Sequence, residues 1–197
     1  MERKEEEKME VKKPTGNRPR LKWKPPPQGL IKCNTDGAWH KDHQYQGIGW
    51  VSRDHTGRLL WAGAKRLQGV GSPIETEALA LRWAVQTMVR FGYKHVLFET
   101  DSLVLAKMIT GKEETWPKLK PLIQEISHTL SANRGYKIEY STRDSNKTAD
   151  RIAKEALSFM NYVPKLYSIV PQWLKVVIEA DMPSLGSNID VGPNSYG

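Results

Sequence analysis

Leu30-Ile-Lys-Cys-Asn-Thr-Asp36-Gly37 alternates apolar and polar residues and ends on a carboxylate, so it reads as a strand with an acid at its tip. Asp-Gly ordinarily marks a two-residue hairpin. The next strand pattern begins only around Gly47, which is too far away for that turn. Gly47-Ile-Gly-Trp-Val-Ser-Arg-Asp54 and Gly57-Arg-Leu-Leu-Trp-Ala-Gly63 flank turn-forming Asp54-His-Thr-Gly57, which predicts a hairpin. Three consecutive antiparallel strands follow from these patterns.

From Ile74 to Arg90 the period changes to that of a helix, with Ile74, Glu77, Leu81, Ala84 and Met88 on one face. Ser72-Pro73 is a plausible entry and Gly92 a terminator. Lys94–Thr100 reads as a fourth strand, Asp101-Ser102 as the opening of a short helix to about Thr110, and Pro117 to about Ala132 as a further helix. Tyr136–Thr142 is the expected fifth strand, and Asn146 to about Met160 the last helix of the domain. The order implies an α/β fold: a five-stranded mixed sheet with helices on both faces.

The domain is expected over residues 29–160. Residues 1–28 read as a disordered arm followed by the Pro-rich linker Trp23–Gly29, and 161–197 as an extension. In that extension, 162–170 looks irregular, 171–181 forms a short amphipathic helix, and the tail after Met182 is loose. The 197-residue chain carries a net charge of +8 with a pI near 9.5. Nine Lys or Arg against five Glu in residues 1–27 supply half of that excess, so the charge permits an anionic partner without establishing one. Cys33 is the only cysteine, which excludes an intrachain disulfide and a Cys-rich zinc module. The highly charged start is unlike a secretory signal, and no apolar run approaches the roughly 20 residues of a membrane helix. The expectation is an intracellular monomer, in nucleus or cytoplasm, without membrane contact.

Four acids stand out. Glu77 lies in an apolar stripe, whereas its neighbour Glu75 aligns with Leu79, Arg82 and Gln86 on a mostly polar face. An unpaired buried carboxylate costs roughly several kcal/mol unless a cation compensates it. Asp101 alone could cap its helix, and Asp150 could be a first-turn acid after an Asn146 cap. Asp150 nevertheless falls beside the stripe of Ala149, Ile152 and Ala156. Asp36 and Asp101 at strand ends, with Glu77 and Asp150 on helices, can converge on one sheet edge. Oxygen ligands without a Cys or His cluster favour Mg²⁺ or Mn²⁺. Two such ions about 3.5 to 4 Å apart serve phosphodiester hydrolysis.

Lys32-Cys-Asn-Thr-Asp36-Gly-Ala38, Glu75-Thr-Glu77-Ala-Leu-Ala80, Phe98-Glu-Thr-Asp101-Ser102 and Arg143-Asp-Ser-Asn146-Lys-Thr-Ala-Asp150-Arg-Ile-Ala-Lys154 resemble, in order, the motifs of type 1 ribonuclease H. In detail, including the Trp23–Gly29 lead-in and the 171–181 segment, they resemble the plant reverse-transcriptase-like branch associated with retroelements. The resemblance spans about residues 23–181. It implies cleavage of the RNA strand of RNA–DNA hybrids with two Mg²⁺ ions, for which Mn²⁺ can substitute. By position it makes Asp36 the ligand of both ions, Glu77 and Asp101 ligands on the leaving-group side, and Asp150 the ligand on the water side.

Two departures qualify that picture. Family members often carry His ten positions before the last Asp, where this chain has Tyr140, a poor base at neutral pH with its reference pKa of about 10. Lower turnover is expected, with His40 and His43 as candidate replacements. Residues 111–120 also lack the long basic protrusion of some relatives, leaving Trp116, expected to pack, and solvated Lys118 and Lys120. Weak hybrid binding follows, and the alternative is a weak or inactive module that binds nucleic acid or a protein.

Overall fold

The computed structural model describes residues 22–182. The expected disordered arm up to residue 21 and the loose tail from residue 183 lie outside the described residues. The elements run β1 (Ile31–Ala38), β2 (Tyr45–Arg53), β3 (Leu59–Gln68), α1 (Pro73–Arg90), β4 (Val96–Thr100), α2 (Leu103–Ile109), α3 (Lys120–Ala132), β5 (Tyr136–Tyr140), α4 (Lys147–Ala156), β6 (Lys165–Tyr167) and α5 (Gln172–Asp181). Short 3₁₀ turns at Pro117–Leu119 and Arg143–Ser145 precede α3 and α4.

The strands form one mixed sheet in the order β5-β4-β1-β2-β3-β6. β1 pairs antiparallel with β2 and parallel with β4, and β4 is parallel to β5. The sheet has six strands where the sequence predicts five. The additional one, β6, is three residues long and lies where irregular chain is expected; its antiparallel pairing with β3, Ala62 opposite Tyr167, defines it. Three residues carry no readable alternation, so only the distant partner makes this segment a strand. α4 also stops at Ala156 instead of Met160, and β5 at Tyr140 instead of Thr142.

Helices cover both faces because successive strand residues point oppositely. Trp50 enters a core with Cys33, Leu81, Val85, Met88, Phe98, Ile123 and Ile126, beneath α1, α2 and α3. Val51 enters the other core with Ala62, Ile152, Ala156, Leu174 and Ile178, beneath α4 and α5. A side-chain carbon at Gly47 or Gly49 would overlap the α4 backbone at Ala153, so these glycines let α4 rest directly on β2. α1 begins where Ser72 accepts the Glu75 N–H at 3.3 Å with Pro73 in the first turn, and it ends at Gly92, whose φ is +76°. Its buried Leu81 and Met88 each contribute roughly 1.5–3 kcal/mol.

Both ends of the described chain are packed in. The Trp23 indole N–H donates to Asn34 Oδ1 at 2.9 Å, and the Arg53 guanidinium stacks 3.7 Å from its ring. Arg53, 1% exposed, pairs with Asp181 of α5 at 2.9 Å, and the Thr148 hydroxyl donates to the same carboxylate at 2.7 Å. Among the described residues no helix is long and apolar enough to cross a membrane.

Candidate active site

Thr35 of β1 lies opposite Thr100 of β4 in parallel register, so the next residues, Asp36 and Asp101, emerge side by side. α1 brings Glu77 over the same edge. One carboxylate oxygen from each of Asp36, Glu77 and Asp101 lies within 4.8 Å of the other two. Asp36 is buried, and Glu77 Oε2 is sealed from solvent with no hydrogen-bond partner among the described residues.

This crowding suppresses ionisation. Burial, then the charges of Asp101 and Asp150, push the Asp36 carboxyl up to about 7, opposed by bonds from Glu77 and the Gly37 backbone. Burial and the Asp36 and Asp101 charges hold Glu77 well above the usual carboxylate range. Asp101 is raised mainly by burial, with Arg143 opposing: its Nε lies 3.7 Å from Asp101 Oδ2.

Asp150 sits apart from this trio but lines the same cavity of about 370 Å³. Its carboxylate pairs with Lys154 Nζ at 2.7 Å and is 44% exposed. Capping does not explain Asp101, whereas Asp150 does stand as the acid of the first turn of α4, after Asn146 at the N-cap position. Ser102, not Asp101, is the N-cap of α2 and accepts the Leu105 N–H at 3.3 Å. At the start of α4, Asn146 turns its side chain away from the helix, to the Thr35 carbonyl.

Arg143, Lys147 and Lys154 complete the cavity wall together with Asp144. Sequence reasoning passed over these cations, although Lys147 and Lys154, three before and four after Asp150, share its helix face. Tyr140 lines a different cavity, with Leu103, Lys107 and Glu139. His40 and His43 are exposed in the loop after β1, their rings 4.8 Å apart, and neither lines the carboxylate cavity. Trp116, expected to pack, is 48% exposed, and Lys118 and Lys120 are exposed as expected.

The donor set fits a divalent cation. It is all hard oxygen, three carboxylates close enough to share one ion, with an orphaned buried oxygen on Glu77 that a cation would satisfy.

A family model described as "Reverse transcriptase-like" matches residues 34–156, a span that encloses all four acids. The chain belongs to the reverse transcriptase-like family. Among solved structures, this reverse transcriptase-like chain is similar to RNase H1 from the halophilic archaeon Halobacterium salinarum NRC-1, at 26% identity and a TM-score of 0.61, over 65% of this chain and 97% of that one. LC11-RNase H1, isolated from compost by a metagenomic approach and solved in complex with an RNA/DNA hybrid, shares the fold at 24% identity and a TM-score of 0.59, over 64% and 95% of the two chains. Prototype foamy virus protease-reverse transcriptase also shares it, at 20% identity and a TM-score of 0.54, over 66% of this chain and 21% of that one. No curated protein matches the chain. The fold is thus ribonuclease H-like.

Proposed function

We propose that this reverse transcriptase-like domain hydrolyses the RNA strand of RNA–DNA hybrids as an endonuclease, using two Mg²⁺ ions for which Mn²⁺ can substitute. The approach of Asp36, Glu77 and Asp101 to within 4.8 Å, with Asp150 on the same cavity, carries this reading. Asp36, Glu77 and Asp101 would hold one cation, and Asp36 with Asp150 the other. Divalent cations there supply Lewis-acid polarisation of a phosphodiester and a more acidic water.

The chain's own residues do the rest. The trio cannot all ionise unaided, so its carboxyls release protons as cations bind. Asp150 must leave Lys154 to join Asp36. A half-exposed i,i+4 pair resists that by only about 0.5 kcal/mol. Arg143, Lys147 and Lys154 ring the acids and are placed to bind the phosphates flanking the scissile one. The buried, unpaired Cys33 supports an intracellular setting.

The test is cleavage of the RNA of an end-labelled hybrid with Mg²⁺, abolished by Asp36→Asn and by Asp101→Asn. Cleavage that persists in both variants would place the chemistry elsewhere. Tyr140, which lines a cavity other than that of the acids, favours a second reading: a weak or inactive module that binds nucleic acid or a protein. Hybrid binding without cleavage in Mg²⁺ or Mn²⁺ would select it.

A further inference from the structure

Lys22, Trp23 and Lys24 precede β1 without regular secondary structure, and both lysines are exposed while the indole between them is buried. Trp23 is 3% exposed and is held by the Asn34 carbonyl and by the stacked Arg53. The Lys24 carbonyl accepts the Lys32 ammonium at 2.8 Å, which pins the backbone of the segment to β1. Both exposed lysines thus project from a fixed base and not from a loose end.

They line a cavity of about 160 Å³ with Lys32, Glu99, Thr142 and Ser145. Three lysines and one glutamate are in that lining, and the carboxylate is occupied. Glu99 Oε1 pairs with Lys32 at 2.6 Å and its Oε2 accepts the Asn34 amide at 2.9 Å. The cavity is net positive, opposite in sign to the carboxylate core of the active site. Ser145 donates its hydroxyl proton to the Thr142 carbonyl at 2.8 Å. With that proton spent, the Thr142 hydroxyl is the donor to Ser145 Oγ at 3.1 Å, and it would turn from that oxygen to meet an incoming acceptor.

One short turn separates the two cavities: Arg143 and Asp144 line the acidic one, Thr142 and Ser145 the basic one. We infer that the Lys22–Lys24–Thr142 cavity is a phosphate subsite, taking a backbone phosphate of the nucleic-acid strand that crosses residues 142–145 from the carboxylate cavity. Ammonium groups and a hydroxyl around a space of that size suit a tetrahedral anion with several acceptor oxygens. The inference rests on the nucleic-acid reading above and deepens it. Lys22, Lys24 and Lys32 precede the span matched by the family model, which begins at residue 34, whereas Glu99, Thr142 and Ser145 lie within it.

The test is the salt dependence of hybrid binding, read by fluorescence anisotropy without divalent cation from about 50 to about 200 mM salt. The chain as it stands is compared with Lys22→Gln/Lys24→Gln and with a charge-matched control, Lys94→Gln/Lys175→Gln, neither residue of which lines either cavity. Loss of one subsite phosphate lowers the slope of log affinity against log salt by about 0.9 and the affinity near 100 mM by roughly tenfold, while the control stays unchanged. Equal losses in both variants, no loss in the first, or no binding by the unaltered chain would overturn the subsite. Mg²⁺-dependent cleavage is scored on the same samples. Cleavage with an unshifted slope sinks the subsite alone, whereas a lysine-dependent slope without cleavage supports it and sinks the nuclease reading.

Discussion

Asn146 donates its side-chain amide to the carbonyl of Thr35 at 3.0 Å, tying the start of α4 to the residue before Asp36. The Asp150 N–H donates in turn to the Asn146 carbonyl at 3.1 Å, so two hydrogen bonds join the strand of Asp36 to Asp150. Asn146 is 1% exposed and water cannot replace it. Asn146→Ala should cost about 1–3 kcal/mol in urea unfolding. It should also weaken Mn²⁺ binding measured by calorimetry, because Asp150 loses its register with Asp36. A variant of normal cation affinity would show that the bond serves the fold alone.

The trio's crowding predicts an unusual pH dependence for the cation-free protein. The Asp36 carboxyl stands at about 7 in the fold against 3.8 in the unfolded chain. Below about pH 4 both states hold the proton and the site costs nothing; between about 4 and 7 only the unfolded chain releases it, so stability falls as pH rises. The full loss is on the order of 4 kcal/mol, and Glu77 shifts in the same direction. Thermal unfolding between pH 5 and about 8 should show this decline, Mg²⁺ should reverse it, and Asp36→Asn should flatten it. A cation-free melting temperature that climbs steadily with pH would contradict the geometry of the site.

Tyr140, at the position where the resemblance to ribonuclease H leads one to expect a His, lines a cavity with Leu103 and Lys107. Tyr140 is not among the residues lining the carboxylate cavity. Tyr140→Phe is expected to leave the hybrid cleavage rate within about twofold, since a working acid or base contributes roughly a hundredfold or more. A larger loss would mean that the β5 end swings toward Asp101 during turnover.

Part of this site is legible in the residues because two of the acids break a local rule, whereas Asp101 and Asp150 each fit one as a helix cap and a first-turn acid. Glu77 interrupts an apolar stripe and Asp36 ends a strand without a hairpin to explain it; only the structure shows that Ser102, not Asp101, caps α2. What the chain conceals is non-local. β6 exists only through its pairing with β3, and the guanidinium of Arg53 is buried only because Trp23 and Asp181 arrive from opposite ends of the described chain. Periodicity reports which face of an element is apolar and is silent on which distant charge meets it. The cations Arg143, Lys147 and Lys154 escaped for a related reason: exposed basic residues look alike until a cavity gathers them.

The Arg53–Asp181 pair yields the sharpest stability prediction. Arg53 is buried under Trp23, contacts Asn34 Oδ1 at 3.4 Å, and has its main counter-charge 2.9 Å away on the last residue of α5. Asp181→Ala strands that charge and should cost about 3–5 kcal/mol in urea unfolding, a loss that can unfold a domain of ordinary stability. Arg53→Met removes the charge but keeps the apolar contact with Trp23, so the double variant Arg53→Met/Asp181→Ala should recover part of the loss. Additive losses would mean that water reaches the guanidinium. Recovery would mean that α5 is held to the sheet by the need to neutralise Arg53 as well as by the burial of Leu174 and Ile178. Removing residues 172–182 should then be more damaging than Asp181→Ala, because it exposes that apolar face as well.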